Sequence, residues 1–155
     1  MIDLHRILVP TDFSKFSQAA LGYAVAFAEK FGSELHLLHV VQNLAVMIPD
    51  SVNVMPPVGP SIEQLTSAVQ TALDRIIQEN KLEALKEQKA VREGTPFYEI
   101  IQYAKEKDVD LIVMGTHGHS GLVHMLLGSV TEKVVRKSPC PVLTVRHPEH
   151  EFVHP

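Results

Sequence analysis

Residues 111–135 read LIVMGTHGHSGLVHMLLGSVTEKVV. The apolar run Leu111-Ile112-Val113-Met114 has the length and composition of a buried strand. Gly115, Gly118 and Gly128-Ser129 follow in a G-x2-G-x9-G-[ST] spacing. From Ser129 onward, Val130-Thr131-Glu132-Lys133-Val134-Val135 reads as a helix. A strand, a glycine-rich turn and a helix N-terminus in succession make an anion-binding device: glycines let backbone N–H groups approach closely, and the helix start offers unpaired donors and the positive end of its dipole. A nucleotide is therefore the first ligand to consider.

Working outward, the chain alternates. Ile7-Leu8-Val9 is a β-prone run ending at the turn Pro10-Thr11-Asp12. From Ser14 the period becomes helical, with Ala20, Tyr23, Ala24, Phe27, Ala28 and Phe31 recurring at helical spacing and Gly32 where a C-terminal cap belongs. A second strand runs from Leu35 to Val41. Residues 42–60 hold Pro49, Pro56, Pro57 and Pro60 without a clear period, and a loop of that length tends to be functional or disordered; here it reads as a candidate lid. Ser61 and Gln64 form a capping-box pattern before a helix with Ile62, Leu65, Val69, Leu73, Ile76 and Ile77 on one face. A short, weak third strand near Lys89-Ala90-Val91-Arg92 ends at Glu93-Gly94. Thr95-Pro96 starts a third helix with core residues Phe97, Ile100, Ile101 and Ala104. Pro141-Val142-Leu143-Thr144-Val145 is the last strand.

This βαβαβαβαβ order predicts an α/β fold: a parallel sheet with right-handed crossovers and helices on both faces. Such sheets bind ligands at the carboxyl ends of strands where strand order reverses. With strands ordered 3-2-1-4-5, Asp12 and Gly115 would converge on one crevice.

Composition narrows the class. The chain has 155 residues, 45% apolar and 21% charged, as expected of one soluble domain. Residues 1–147 are assigned to that domain and 148–155 to a polar tail. A net charge of −4 provides no basic field for nucleic acid, and no apolar run reaches membrane-spanning length. The start of the chain lacks signal-peptide architecture, and the single cysteine, Cys140, rules out an internal disulfide framework; both fit the cytoplasm. Cys140, between two prolines, reads as a packing residue rather than a nucleophile.

On these stretches the chain resembles the universal stress protein family. The resemblance rests on Ile7-Leu8-Val9-Pro10-Thr11-Asp12-Phe13-Ser14, Leu38-His39-Val40, residues 110–118 (DLIVMGTHG), Gly128-Ser129-Val130-Thr131, and Ser138-Pro139-Cys140-Pro141-Val142-Leu143, and it spans nearly the whole length. It implies a five-stranded Rossmann-like sheet in the order 3-2-1-4-5. The glycine spacing is similar to that of the ATP-binding branch; another branch lacks those glycines and binds no ATP. Carried over, the resemblance sets Pro10, Thr11 and Asp12 beside the adenosine, Val40 against adenine, and Met114, Gly115 and Thr116 along the site floor. Gly118 would allow close passage of the phosphate loop. Gly128, Ser129, Val130 and Thr131 would hold the phosphates. The implied cofactor is ATP, with ADP or AMP as alternatives and Mg2+ associated with the phosphates. The implied assembly is a homodimer through the last strand, with room for an unknown protein partner.

One position departs from the family pattern. His119 stands where many relatives carry arginine, exchanging a permanent, forked cation for a group that titrates near neutral pH.

The glycines form neither a Walker P-loop nor a dinucleotide fingerprint. His117, His119 and His124 space as H-x-H-x4-H, weak zinc geometry without a fourth ligand. With no lysine or arginine in residues 115–130, the charge stabilisation that phosphoryl transfer requires is missing, so at most slow ATP hydrolysis is expected. The leading reading is an ATP-binding stress-response protein acting as a nucleotide-dependent switch. The competing readings are a dimeric interaction protein of the same fold that binds no nucleotide, and a slow phosphohydrolase or nucleotidyl-transferring enzyme.

Overall fold

A computed structural model of the protein describes residues 1–42, 59–118 and 127–148. Five strands, β1 (Arg6–Pro10), β2 (Glu34–Val41), β3 (Lys86–Glu93), β4 (Leu111–Gly115) and β5 (Val142–Val145), form one sheet in the order β3-β2-β1-β4-β5, every pair parallel. Helices α1 (Lys15–Phe31), α2 (Ile62–Glu79), α3 (Pro96–Glu106) and α4 (Ser129–Lys137) connect them, with a 3-10 turn at Leu82–Ala84. The expected fold and strand order are observed.

The two faces of the sheet follow from strand alternation. Ile7, Val9, Leu35, Leu37 and Val113 point to one side and pack with Ala20, Leu21, Ala24 and Ala28 of α1 and Leu73 and Ile77 of α2. Leu8, Leu38, Ile112 and Met114 point to the other and pack with Ile100, Tyr103 and Ala104 of α3 and Val134 of α4. The alanines of α1 bring that helix close to the sheet. Its ends are set by Ser14, whose hydroxyl accepts from the Ser17 amide, and by Gly32 in the left-handed region. The capping box of Ser61 and Gln64 is formed in both directions.

Three details differ from the periodicity reading. Tyr23 and Phe31 are exposed, because alanines and Leu21, not the aromatics, form the contact stripe of α1. β3 is eight residues long rather than a short run: it pairs with β2 over its whole length although its sequence, KEQKAVRE, has no continuous apolar stretch. An edge strand with a wet face needs none. Tyr103 belongs to the core of α3 beside the expected Ile100, Ile101 and Ala104.

Tyr103 is buried for a polar reason as well. Its hydroxyl lies 2.9 Å from Nδ1 of His36, itself only 3% exposed, and the Nε2 of that ring is 3.7 Å from Glu34. Burial pushes the His36 imidazole below its ordinary pKa, against the opposing pull of Glu34. The unfolded chain thus binds more protons at this position than the folded one. The stability this contributes is complete above the ordinary histidine value of about 6.5 and is lost as pH falls below it. Urea midpoints at pH 7.5 and 5.5 should therefore fall further in the wild type than in His36→Gln; equal falls would show that His36 is not responsible.

Candidate functional site

β1 and β4 lie side by side at the centre of the sheet, so the turns leaving their carboxyl ends must share one crevice. There the structure forms a cavity of about 510 Å³, within the range of about 300–1,000 Å³ usual for small-molecule sites. Pro10, Thr11 and Asp12 come from β1 and its turn; Val40 from β2; Met114, Gly115 and Gly118 from β4 and its turn; Gly128, Ser129, Val130 and Thr131 from the start of α4. Of the expected site residues that are described, all but Thr116 line it; Thr116 is almost fully buried, and His119 lies outside the described residues.

The α4 end of the cavity carries the donors. Gly128 is the N-cap of α4 and has no side chain to satisfy the first-turn amides; no side-chain cap bond is made. The Gly128 amide donates to the Thr116 carbonyl at 2.7 Å, and the Glu132 amide opens the helical ladder by donating to the Gly128 carbonyl at 2.9 Å. Between them, the amides of Ser129, Val130 and Thr131 have no acceptor among the described residues. The Thr131 hydroxyl donates to the Gly115 carbonyl at 2.9 Å, so its hydrogen ties α4 to β4 instead of reaching a phosphate, and the Gly128 amide is similarly committed. Ser129 is exposed, with both amide and hydroxyl at the helix mouth.

The opposite wall holds an acceptor. One Asp12 oxygen accepts from the Ser14 amide at 3.0 Å, while the other lies 2.6 Å from where a Cβ on Gly118 would stand. One oxygen thus caps the turn while the other lies against Gly118. Leu38, Val40, Ile100, Pro96 and Met114 supply apolar lining between the two ends.

Asp12 is the only carboxylate among the described lining residues, and none of them is lysine or arginine. Residues 43–58 and 119–126 contain no lysine or arginine either. Lys133 and Lys137 of α4 lie over the Phe97 ring at 4.9 and 5.6 Å, and Arg136 pairs with Glu132 at 3.0 Å. Fixed amide dipoles, rather than permanent side-chain cations, are what this wall offers an anion. Among the described residues no group of three histidine, cysteine, aspartate or glutamate side chains could hold a metal; His119 and His124 lie outside them. Burial raises the Cys140 thiol, which suits a packing residue.

Ser17, His39, Gln42 and His117 also line the cavity, as do Leu38, Pro96 and Ile100, none of which the sequence reading placed there. His117 is buried, with Nδ1 3.0 Å from the Thr116 hydroxyl. His39 and Leu38 stood next to Val40 in a stretch already singled out. Pro96 and Ile100 gave no such signal, since helical spacing assigned that face to the core alone.

Residues 4–146 match the pattern that defines the Universal stress protein family. The chain belongs to that family. Universal stress protein MJ0531 of Methanocaldococcus jannaschii is 36% identical over 94% of this chain and 84% of its own. The solved structure of MJ0577 from the same organism superposes with a TM-score of 0.78 at 31% identity, covering 96% of this universal stress protein and 99% of that one. A universal stress protein solved in complex with cAMP shares the fold at 23% identity and a TM-score of 0.67, covering 94% of this chain and 98% of that one. Among the described residues no helix is long and apolar enough to cross a membrane.

Proposed function

We propose that this universal stress protein binds an adenine nucleotide, ATP foremost, in the cavity between β1, β4 and α4, and serves as a nucleotide-dependent switch with at most slow hydrolysis. The observation that carries this is the pairing, across one cavity, of three amides at the mouth of α4 that have no acceptor among the described residues with the Asp12 carboxylate. Three amides and the Ser129 hydroxyl suit a phosphate oxygen cluster. Asp12 suits a ribose hydroxyl or the adenine amino group, and the apolar lining suits the face of a base. The likeness to the cAMP complex supports the fold alone.

Mg2+ would travel with the phosphates, keeping most of its waters, since such ions need few protein ligands. In that arrangement it would neutralise the phosphate tail, since the described wall has no lysine or arginine. The single domain of residues 1–147 would pair through β5, an edge of the sheet, in a two-fold homodimer. The proposed lid spans residues 42–60, of which 43–58 lie outside the described residues.

The test begins with the purified protein, whose lack of tryptophan and three tyrosines make a bound adenine visible in the ultraviolet. Denaturation should release an adenine nucleotide identifiable by mass spectrometry. Calorimetric titration of the emptied protein should show Mg-ATP binding. If nothing is released and nothing binds at millimolar concentration, with or without Mg2+, the reading is wrong and the interaction-protein alternative takes its place.

A further inference from the structure

Asp12 sits in a turn that the chain does not adopt cheaply. Phe13, the next residue, has φ of 65°, the left-handed region that favours glycine. A non-glycine residue stays there only when its surroundings over-determine the conformation. The Thr11 amide donates to the Leu38 carbonyl at 2.8 Å and the Phe13 amide to the Thr11 hydroxyl at 3.1 Å. Neither contact reaches the Phe13 ring or the carbonyl that precedes Asp12.

One side chain reaches both. His39, near the carboxyl end of β2, places Nδ1 2.8 Å from the Thr11 carbonyl and stacks its ring on Phe13, with centroids 4.7 Å apart and planes 27° apart. The residue before Asp12 and the residue after it are thus held by a single imidazole. A carbonyl only accepts, so Nδ1 carries the hydrogen, and the tautomer of the neutral ring is fixed by this bond. His39 itself lines the cavity.

We propose that His39 is the positioning residue of the site: it clamps the strained β1–α1 turn from both sides of Asp12 and thereby fixes the direction in which the carboxylate enters the cavity. The inference rests on the nucleotide reading of that cavity. It requires the carboxylate to be held, and one of its oxygens is, by the Ser14 amide at 3.0 Å, while the other lies close against Gly118.

Because His39 acts through Asp12, its effect on binding must disappear when Asp12 does. The experiment is a double-mutant cycle on Mg-ATP affinity with His39→Phe, which keeps a ring over Phe13 but removes the donor, and Asp12→Ala. His39→Phe should weaken Mg-ATP about fivefold to tenfold alone, the loss expected when a single hydrogen bond is removed. In the Asp12→Ala background it should cost less than about twofold. His39→Asn, which returns an amide donor near the position of Nδ1, should recover most of the loss. Should His39→Phe not fold, Phe13→Leu, which removes the stacking partner and leaves His39 in place, takes its position in the cycle with the same expectation. Equal losses in both backgrounds, or no loss in the wild-type background, would overturn the proposal while leaving nucleotide binding intact. Failure of the wild type to bind Mg-ATP at all would instead overturn the reading beneath it, and this inference with it.

Discussion

Replacing Gly115 by alanine is expected to cost about 3 kcal/mol, the upper part of the range for overpacking a well-filled interior. For a domain of this size that corresponds to a fall in melting temperature of about 6–12 °C. A Cβ at Gly115 would stand 2.8 Å from the carbonyl oxygen of Phe16, 2.9 Å from its carbonyl carbon and 3.0 Å from its Cβ. Neither side can retreat. Gly115 is registered opposite Val145 of β5, and Phe16 lies in the first turn of α1, anchored by the Ser14 cap. The control is Gly22→Ala in the interior of α1, where an added Cβ meets nothing within 4 Å. It should raise stability by about 0.5–1 kcal/mol, the usual gain from removing a mid-helix glycine. Thermal scans and urea unfolding of the two variants beside wild type decide the matter. A Gly115→Ala protein that melts with the wild type would show that α1 and β4 are less tightly apposed than the structure has them. The first glycine of the motif would then be free to serve the ligand alone, instead of setting the distance between helix and strand.

That result bears on what a sequence discloses. The spacing G-x2-G-x9-G-[ST] marks three glycines alike, yet the structure gives them different neighbours. Gly115 faces the backbone of α1, Gly118 faces the Asp12 carboxylate, and Gly128 faces the Thr116 carbonyl at 3.3 Å. Spacing records that a side chain is unwelcome without recording what would meet it. The elements themselves were legible because their signals are local: α4 begins at Ser129 as read, and the caps Gly32 and Ser61 are where turn chemistry puts them. β3 was underestimated because its stability comes from pairing with β2, which no window of its own sequence contains. The site divides along the same line. Asp12 and Ser129 sit at strand and helix ends and were legible. His39, Pro96 and Ile100 reach the cavity only because β2 and α3 flank it, and the Thr131 hydroxyl turns to Gly115 for reasons of tertiary contact.

The largest expected effect on binding comes from a substitution that should leave the fold untouched, Ser129→Pro. Ser129 is the first residue of α4, the position where proline is best tolerated in a helix. Gly128 before it has φ of −66° and ψ of 156°, an extended conformation that a residue preceding proline readily adopts. The amide removed has no acceptor among the described residues, so no hydrogen bond among them is lost. Stability should stay within about 0.5 kcal/mol of wild type, as for surface changes generally. The ligand, by contrast, loses the amide and the hydroxyl together. A hydrogen bond to a charged group contributes about 1.5–3 kcal/mol, so Mg-ATP should bind about 10–100-fold more weakly. Ser129→Ala keeps the amide and should fall between the two, which separates the donors. Adenosine, having no phosphate, should bind both variants as it binds wild type. Equal loss of adenosine and Mg-ATP would mean that the proline distorts the cavity; full retention of Mg-ATP would remove the phosphates from the mouth of α4. The predicted pattern, with phosphate affinity lost, nucleoside affinity kept and stability unchanged, sets the anion site at the first residue of α4, because the amide and hydroxyl of Ser129 are the two donors that the proline removes.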